Sequence, residues 1–97
     1  MTTPEQNKKI INYLMPYQPT KIGVFGSYAR GENKADSDLD LIVSLNEKMG
    51  IIKYTGIWQG LEDLLGIKID LLTEKQLESA NQIVRESIKK DIQIIYE

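Results

Sequence analysis

Three aspartates hold most of the chemistry open to this sequence. Asp38 and Asp40 stand two residues apart and lead straight into Leu41, Ile42 and Val43. Asp70 sits inside a similar run, "IKIDLL", from Ile67 to Leu72. Side chains alternate across a strand, so Asp38 and Asp40 are expected on one face and Leu39, Leu41 and Val43 on the other. Two carboxylates one strand repeat apart repel each other. Burying either without compensation costs stability or forces protonation. A divalent cation that prefers oxygen, Mg²⁺ or Mn²⁺, relieves the repulsion. The apolar neighbours of Asp70 imply that it is buried too. If its strand lies beside the first pair, three carboxylates converge on one face, which suits two-metal phosphoryl or nucleotidyl transfer.

Two plainer readings compete. Asp36, Asp38 and Asp40 fit a turn at a strand entrance, where Asn, Asp and Ser are at home. That does not explain Asp40, followed at once by Leu-Ile-Val, or Asp70 inside its apolar run. In a calcium loop, Asp36, Asp38 and Asp40 would fall at the first, third and fifth positions and Glu47 at the twelfth. Leu41 then stands where the sharp turn needs glycine.

Upstream, Gly26-Ser27 closes the apolar run Ile22 to Phe25. Glycine lets the chain turn sharply and lets a ligand approach the backbone. A short helical turn beginning near Ser27 would aim free N–H groups at an anion, and a triphosphate is a natural guest. No Gly-Lys-Ser/Thr follows, so this is no Walker A loop. Gly23, Gly26 and Gly31 do not fit a dinucleotide fingerprint either.

Composition narrows the alternatives. The 97 residues include no cysteine and no histidine. Disulfides, zinc–thiolate sites and Cys or His catalysis are therefore excluded. The net charge of −2, from 12 basic and 14 acidic residues, argues against a broad basic face, so nucleic acid is not expected as a direct ligand. No signal-peptide core or membrane span is visible, and the chain reads as cytoplasmic. Residues 1–97 are expected to form one domain.

The elements that must position these residues follow from pattern. Thr3-Pro4-Glu5-Gln6 starts a helix that carries Ile10, Ile11, Leu14 and Tyr17 until Pro16 and Pro19 end it. Lys21 to Gly26 and Leu39 to Leu45 read as strands. Ile51 to Leu65 reads as a helix, weakened by Gly56 and Gly60 and stopped by Gly66. Ile67 to Leu72 is a third strand. Thr73 to Gln76 caps helical structure running to about Lys90, and Ile92, Ile94 and Tyr96 mark a last strand. Tyr13, Tyr17, Tyr54 and Trp58 fit either a partner interface or the core, and the core is the safer expectation for aromatics at helical spacing. The expected class is α+β, a small mixed β-sheet packed with helices.

Taken together, the motifs resemble the minimal nucleotidyltransferases of the DNA polymerase β superfamily. Gly26-Ser27, ten intervening residues and Asp38-Leu39-Asp40 match that family's pattern. Its longer form is met by Ala29, Arg30, Gly31, Ser37 and Leu41. The resemblance implies a polymerase β-like fold, with Asp38 and Asp40 holding Mg²⁺, two ions in all, and Asp70 as the third carboxylate. It implies that Gly26 and Ser27 hold the β- and γ-phosphates of ATP. Arg30 either neutralises phosphate charge or pairs with a carboxylate, and Ser37 binds phosphate or caps its turn. Stand-alone members of this size resemble the antitoxin of HEPN–MNT toxin–antitoxin pairs. The implied reaction moves AMP from ATP to a tyrosine hydroxyl of the HEPN toxin. The competing expectations are an antitoxin that neutralises its partner by contact alone, and a sensory module that binds nucleotide without transferring it.

Overall fold

The computed structural model describes residues 2–46 and 49–97. Glu47, the twelfth position of the calcium-loop reading, lies outside them. The chain runs α1 (Pro4–Leu14), a 3-10 turn (Met15–Tyr17), β1 (Pro19–Phe25), α2 (Gly26–Arg30), β2 (Leu39–Leu45), α3 (Ile51–Leu65), β3 (Ile69–Thr73), α4 (Glu74–Ser79), α5 (Gln82–Asp91) and β4 (Gln93–Tyr96). The strands form one mixed sheet in the order β3-β2-β1-β4. β1 pairs antiparallel with β2 and β4, and β2 pairs parallel with β3. Because Leu41 lies within β2, its backbone belongs to a ladder and not to a cation-binding loop.

Alternation splits the sheet's side chains into two layers. On one face, Ile22, Val24, Leu39, Leu41, Val43, Ile69 and Leu71 pack against Ile10 and Leu14 of α1 and Ile57 and Leu61 of α3. On the other, Phe25 and Ile42 meet Leu77 of α4, with Ile88 and Ile92 packed alongside. The second layer is much thinner. No residue of α5 is fully buried.

Helix ends follow the side chains available to cap them. Thr3 and Gln6 bond reciprocally, and Thr73 and Gln76 do the same, so both expected capping boxes form. Gly66 ends α3 in the left-handed conformation. Several boundaries differ from expectation: Gly26 opens α2 and does not close β1, and β3 runs Ile69–Thr73 and not Ile67 to Leu72. β1 begins at Pro19 and not Lys21. The single helical run expected after Thr73 is two helices, because the Asn81 side chain accepts a hydrogen bond from Val84 N at 2.9 Å and starts α5 afresh.

The two glycines inside α3 play different parts. A Cβ at Gly60 would overlap the Tyr13 hydroxyl and come within 2.8 Å of its Cζ, so Gly60 is where α1 approaches α3. A Cβ at Gly56 meets nothing within 4 Å. Gly56→Ala should therefore stabilise the chain by about 0.5–1 kcal/mol through helix propensity alone. Gly60→Ala should destabilise it by about 1–3 kcal/mol, because Tyr13 must be displaced. Denaturant midpoints of the two variants give the comparison. Equal gains from both would show that Tyr13 yields freely.

Candidate active site

Asp40 sits at the centre of the site. In the antiparallel ladder it stands opposite Phe25, and in the parallel ladder it is in register with Asp70. The residue after Phe25 is Gly26, which opens α2 at a φ of 71°. A Cβ there would overlap the Asp40 carboxylate and lie 3.0 Å from its Cγ. Glycine is thus needed twice, for the left-handed backbone and for the space that Asp40 occupies. Beyond it, Tyr28 and Ala29 are buried in the main core, which seats α2 and leaves Ser27 partly exposed beside the turn.

The three aspartates differ in surroundings. Asp40 is half-buried, whereas Asp38, just before β2, and Asp70, on the edge strand β3, are exposed. The exposure of Asp70 corrects the expectation of burial. Its neighbours Ile69 and Leu71 point into the core, and alternation turns Asp70 to the opposite, open face. Asp38 and Asp70 both act electrostatically on Asp40. Partial burial, then the Asp70 and Asp38 carboxylates, push the Asp40 carboxyl from 3.8 up to about 6, with Arg30 pulling the other way. Among the described residues no three acidic side chains are gathered closely enough to ligate one ion. The donor set nevertheless fits a hard cation. It is all oxygen, and the repulsion felt by Asp40 is what a divalent ion would offset.

A raised carboxyl pKa has a definite sign. The folded chain binds that proton more tightly than the unfolded one, so metal-free stability should fall as pH rises from about 4 to about 6 and level off above. Solvent screening of a half-exposed group makes the fall shallow. In Asp40→Asn that contribution should vanish. Thermal midpoints measured from pH 4 to 7 without divalent ions provide the check, and an unchanged slope in the variant would place the titration elsewhere.

Arg30 bonds Glu32 Oε1 and Asp91 Oδ2, both at 2.7 Å, so the structure shows it pairing with carboxylates. Gln93 Nε2 donates to Ala29 O at 2.9 Å, and together these bonds tie α2 to the C-terminal segment. The Ser37 hydroxyl accepts from Lys34 N at 2.8 Å and closes its own turn. Asp38 and Asp70 also line a cleft of about 520 Å³ with Trp58, Gln59, Glu62 and Lys68. A larger cleft of about 740 Å³, lined by Met49, Ile51, Tyr54 and Gln76 among others, contains none of the aspartates. Tyr54 and Trp58, expected as core aromatics, are packed against the core but also send their polar ends to β3. Burial, and then Asp70, raise the Tyr54 hydroxyl pKa, which keeps it a donor. Glu62 joins them and was missed in the sequence. The signal available was the spacing 54, 58, 62 along one helix face.

A family model described as polymerase beta, nucleotidyltransferase matches residues 8–97. The chain belongs to this nucleotidyltransferase family. Relatives within it include protein adenylyltransferase MntA of Thermococcus cleftensis, 43% identical over 70 residues, covering 70% of this chain and 71% of that one. A candidate protein adenylyltransferase of Methanocaldococcus jannaschii is 38% identical over 87 residues, covering 90% of this chain and 85% of its own. A toxin–antitoxin crystal structure with AMP-PNP aligns with a TM-score of 0.77 and 25% identity, over 93% of this chain and 72% of that one. This nucleotidyltransferase thus has the polymerase β-like α+β fold, and no helix among its described residues is long and apolar enough to cross a membrane.

Proposed function

We propose that this nucleotidyltransferase moves AMP from ATP to a tyrosine hydroxyl of a HEPN-type partner protein and so acts as an antitoxin. The observation that carries the reading is the position of Asp40, lodged against Gly26 on one side and in register with Asp70 on the other. Two motifs far apart in sequence meet there. Support comes from the relative named protein adenylyltransferase and from the toxin–antitoxin neighbour solved with an ATP analogue.

In this reading Asp38, Asp40 and Asp70 hold the Mg²⁺ ions, two in all, and the backbone at Gly26 and Ser27 takes the β- and γ-phosphates. Bound Mg²⁺ would neutralise triphosphate charge and lower the pKa of the acceptor hydroxyl. The acceptor oxygen attacks the α-phosphorus, the bond to pyrophosphate breaks, and the hydroxyl proton passes to Asp70. A tyrosine hydroxyl with a pKa of about 10 is mostly protonated at neutral pH, so it needs that acceptor. The exposure of Asp70 suits this role, because an incoming side chain must reach it. Arg30, held by Glu32 and Asp91, steadies α2 in place of binding phosphate. The domain is taken as 1–97 and its setting as the cytoplasm.

The test is incubation with ATP labelled on the α-phosphate, Mg²⁺ and a HEPN-type protein. Label on a partner tyrosine is expected. Partner binding and neutralisation without label would replace transfer by direct contact. Mg²⁺–ATP binding without either would leave a sensory module.

A further inference from the structure

We infer that Tyr54, Trp58 and Glu62 of α3 are positioning residues for Asp70, holding its strand from the side opposite β2. The inference rests on the role given to Asp70 above. Residues four apart lie on one face of a helix, so these three form a single stripe. Trp58 Nε1 donates to Ile69 O at 2.6 Å. Glu62 Oε2 accepts from Ile69 N at 3.0 Å. The Tyr54 hydroxyl donates to Leu71 O. Tyr54 and Trp58 fix each other's orientation through an edge-on contact, with centroids 5.9 Å apart and planes at 83°.

The ladder explains why these bonds bear on Asp70. In a parallel pair, alternate residues send both backbone groups to the same neighbour. Lys68 O accepts from Leu39 N, so the even-numbered residues of this segment, Asp70 included, face β2. Ile69 and Leu71 face outward, where an edge strand would normally meet water. Side chains of α3 occupy those outward groups on either side of Asp70. The exposed carboxylate therefore stands on a backbone held from both directions. Trp58 and Glu62 also line the cleft that Asp38 and Asp70 share, so any shift of the stripe is felt in that cleft.

A merely structural role, sealing the sheet edge, predicts lost stability and nothing specific to transfer. Positioning predicts more. Trp58→Phe, Tyr54→Phe and Glu62→Ala should each lower kcat for AMP transfer roughly ten- to hundredfold, with KM for ATP unchanged. Glu62→Gln, which keeps an acceptor for Ile69 N, should restore most of the rate. In an Asp70→Asn background the same changes should cost almost nothing further, because their effect passes through the carboxylate. Amide hydrogen exchange on the whole chain without nucleotide should show faster exchange at Ile69 to Leu71 in Trp58→Phe and Glu62→Ala, beyond what the change in global stability of each variant accounts for. Full additivity with Asp70→Asn, failure of Glu62→Gln to rescue, or unchanged exchange in β3 would each overturn the inference. Absence of partner labelling by the unaltered chain would instead overturn the function, while the exchange experiment still decides the clamp.

Discussion

Asp40→Asn should lose AMP transfer by about a thousandfold or more while the metal-free chain becomes slightly more stable. The two effects share one origin. Asp40 is the most buried of the three aspartates and carries the repulsion of both others, which lifts its carboxyl pKa to about 6. Without a cation, an ionised carboxylate at this position destabilises the fold, and the amide removes that cost. With Mg²⁺–ATP the sign reverses, since an amide is a weaker ligand for a hard cation. A loss of about 4 kcal/mol in transition-state stabilisation corresponds to the stated thousandfold. Asp38→Asn should lose transfer to a similar degree with a smaller gain in stability, because Asp38 is itself exposed and contributes only part of the repulsion at Asp40. Transfer rates and thermal midpoints above pH 6 test both variants. Near-normal transfer by either would remove the two-metal reading, and a less stable Asp40→Asn would show that the carboxylate supports the fold.

Gly26→Val should abolish nucleotide use, and for a reason independent of ligand charge. A β-branched residue at a φ of 71° is strained by about 1–3 kcal/mol. Its Cβ would also drive into the Asp40 carboxylate. The backbone proposed to take the phosphates and the carboxylate proposed to hold metal are thus displaced together. Gly26→Ala should show the same defect more mildly. Ser27→Ala removes a single hydroxyl and should weaken ATP use by only about 1–3 kcal/mol. Calorimetry with a non-hydrolysable ATP analogue and Mg²⁺ separates the three variants. Tight binding by Gly26→Val would make this stretch a structural turn and put the nucleotide elsewhere.

The chemistry was legible where it depended on local spacing. Asp38, Leu39 and Asp40 on alternating faces, Gly26 at a strand end and the two Thr–Gln capping boxes are all short-range patterns. The register that pairs Asp40 with Asp70 is a tertiary fact that neither segment contains alone. The same limit explains the error over Asp70. A run such as "IKIDLL" reads alike whether a strand is covered on one face or two, and only the sheet order puts β3 at an edge. Asn81 was passed over because, on a solvent-facing position, a capping side chain and an ordinary polar one look the same in sequence. Arg30 was ambiguous because its partner Asp91 lies 61 positions away.

That distance matters for how the protein is made. Asp91 and Gln93 bond to Arg30 and Ala29, 61 and 64 positions earlier. A ribosome that has finished the glycine turn must add all of the intervening chain before either tie can form. β1, which leads into that turn, also waits for β4 as its second neighbour. Non-local pairings of this kind close late. The glycine turn therefore lacks these two ties until residues 91–93 have been made, and a chain that stopped short of them would hold its aspartates beside an α2 seated only by Tyr28 and Ala29.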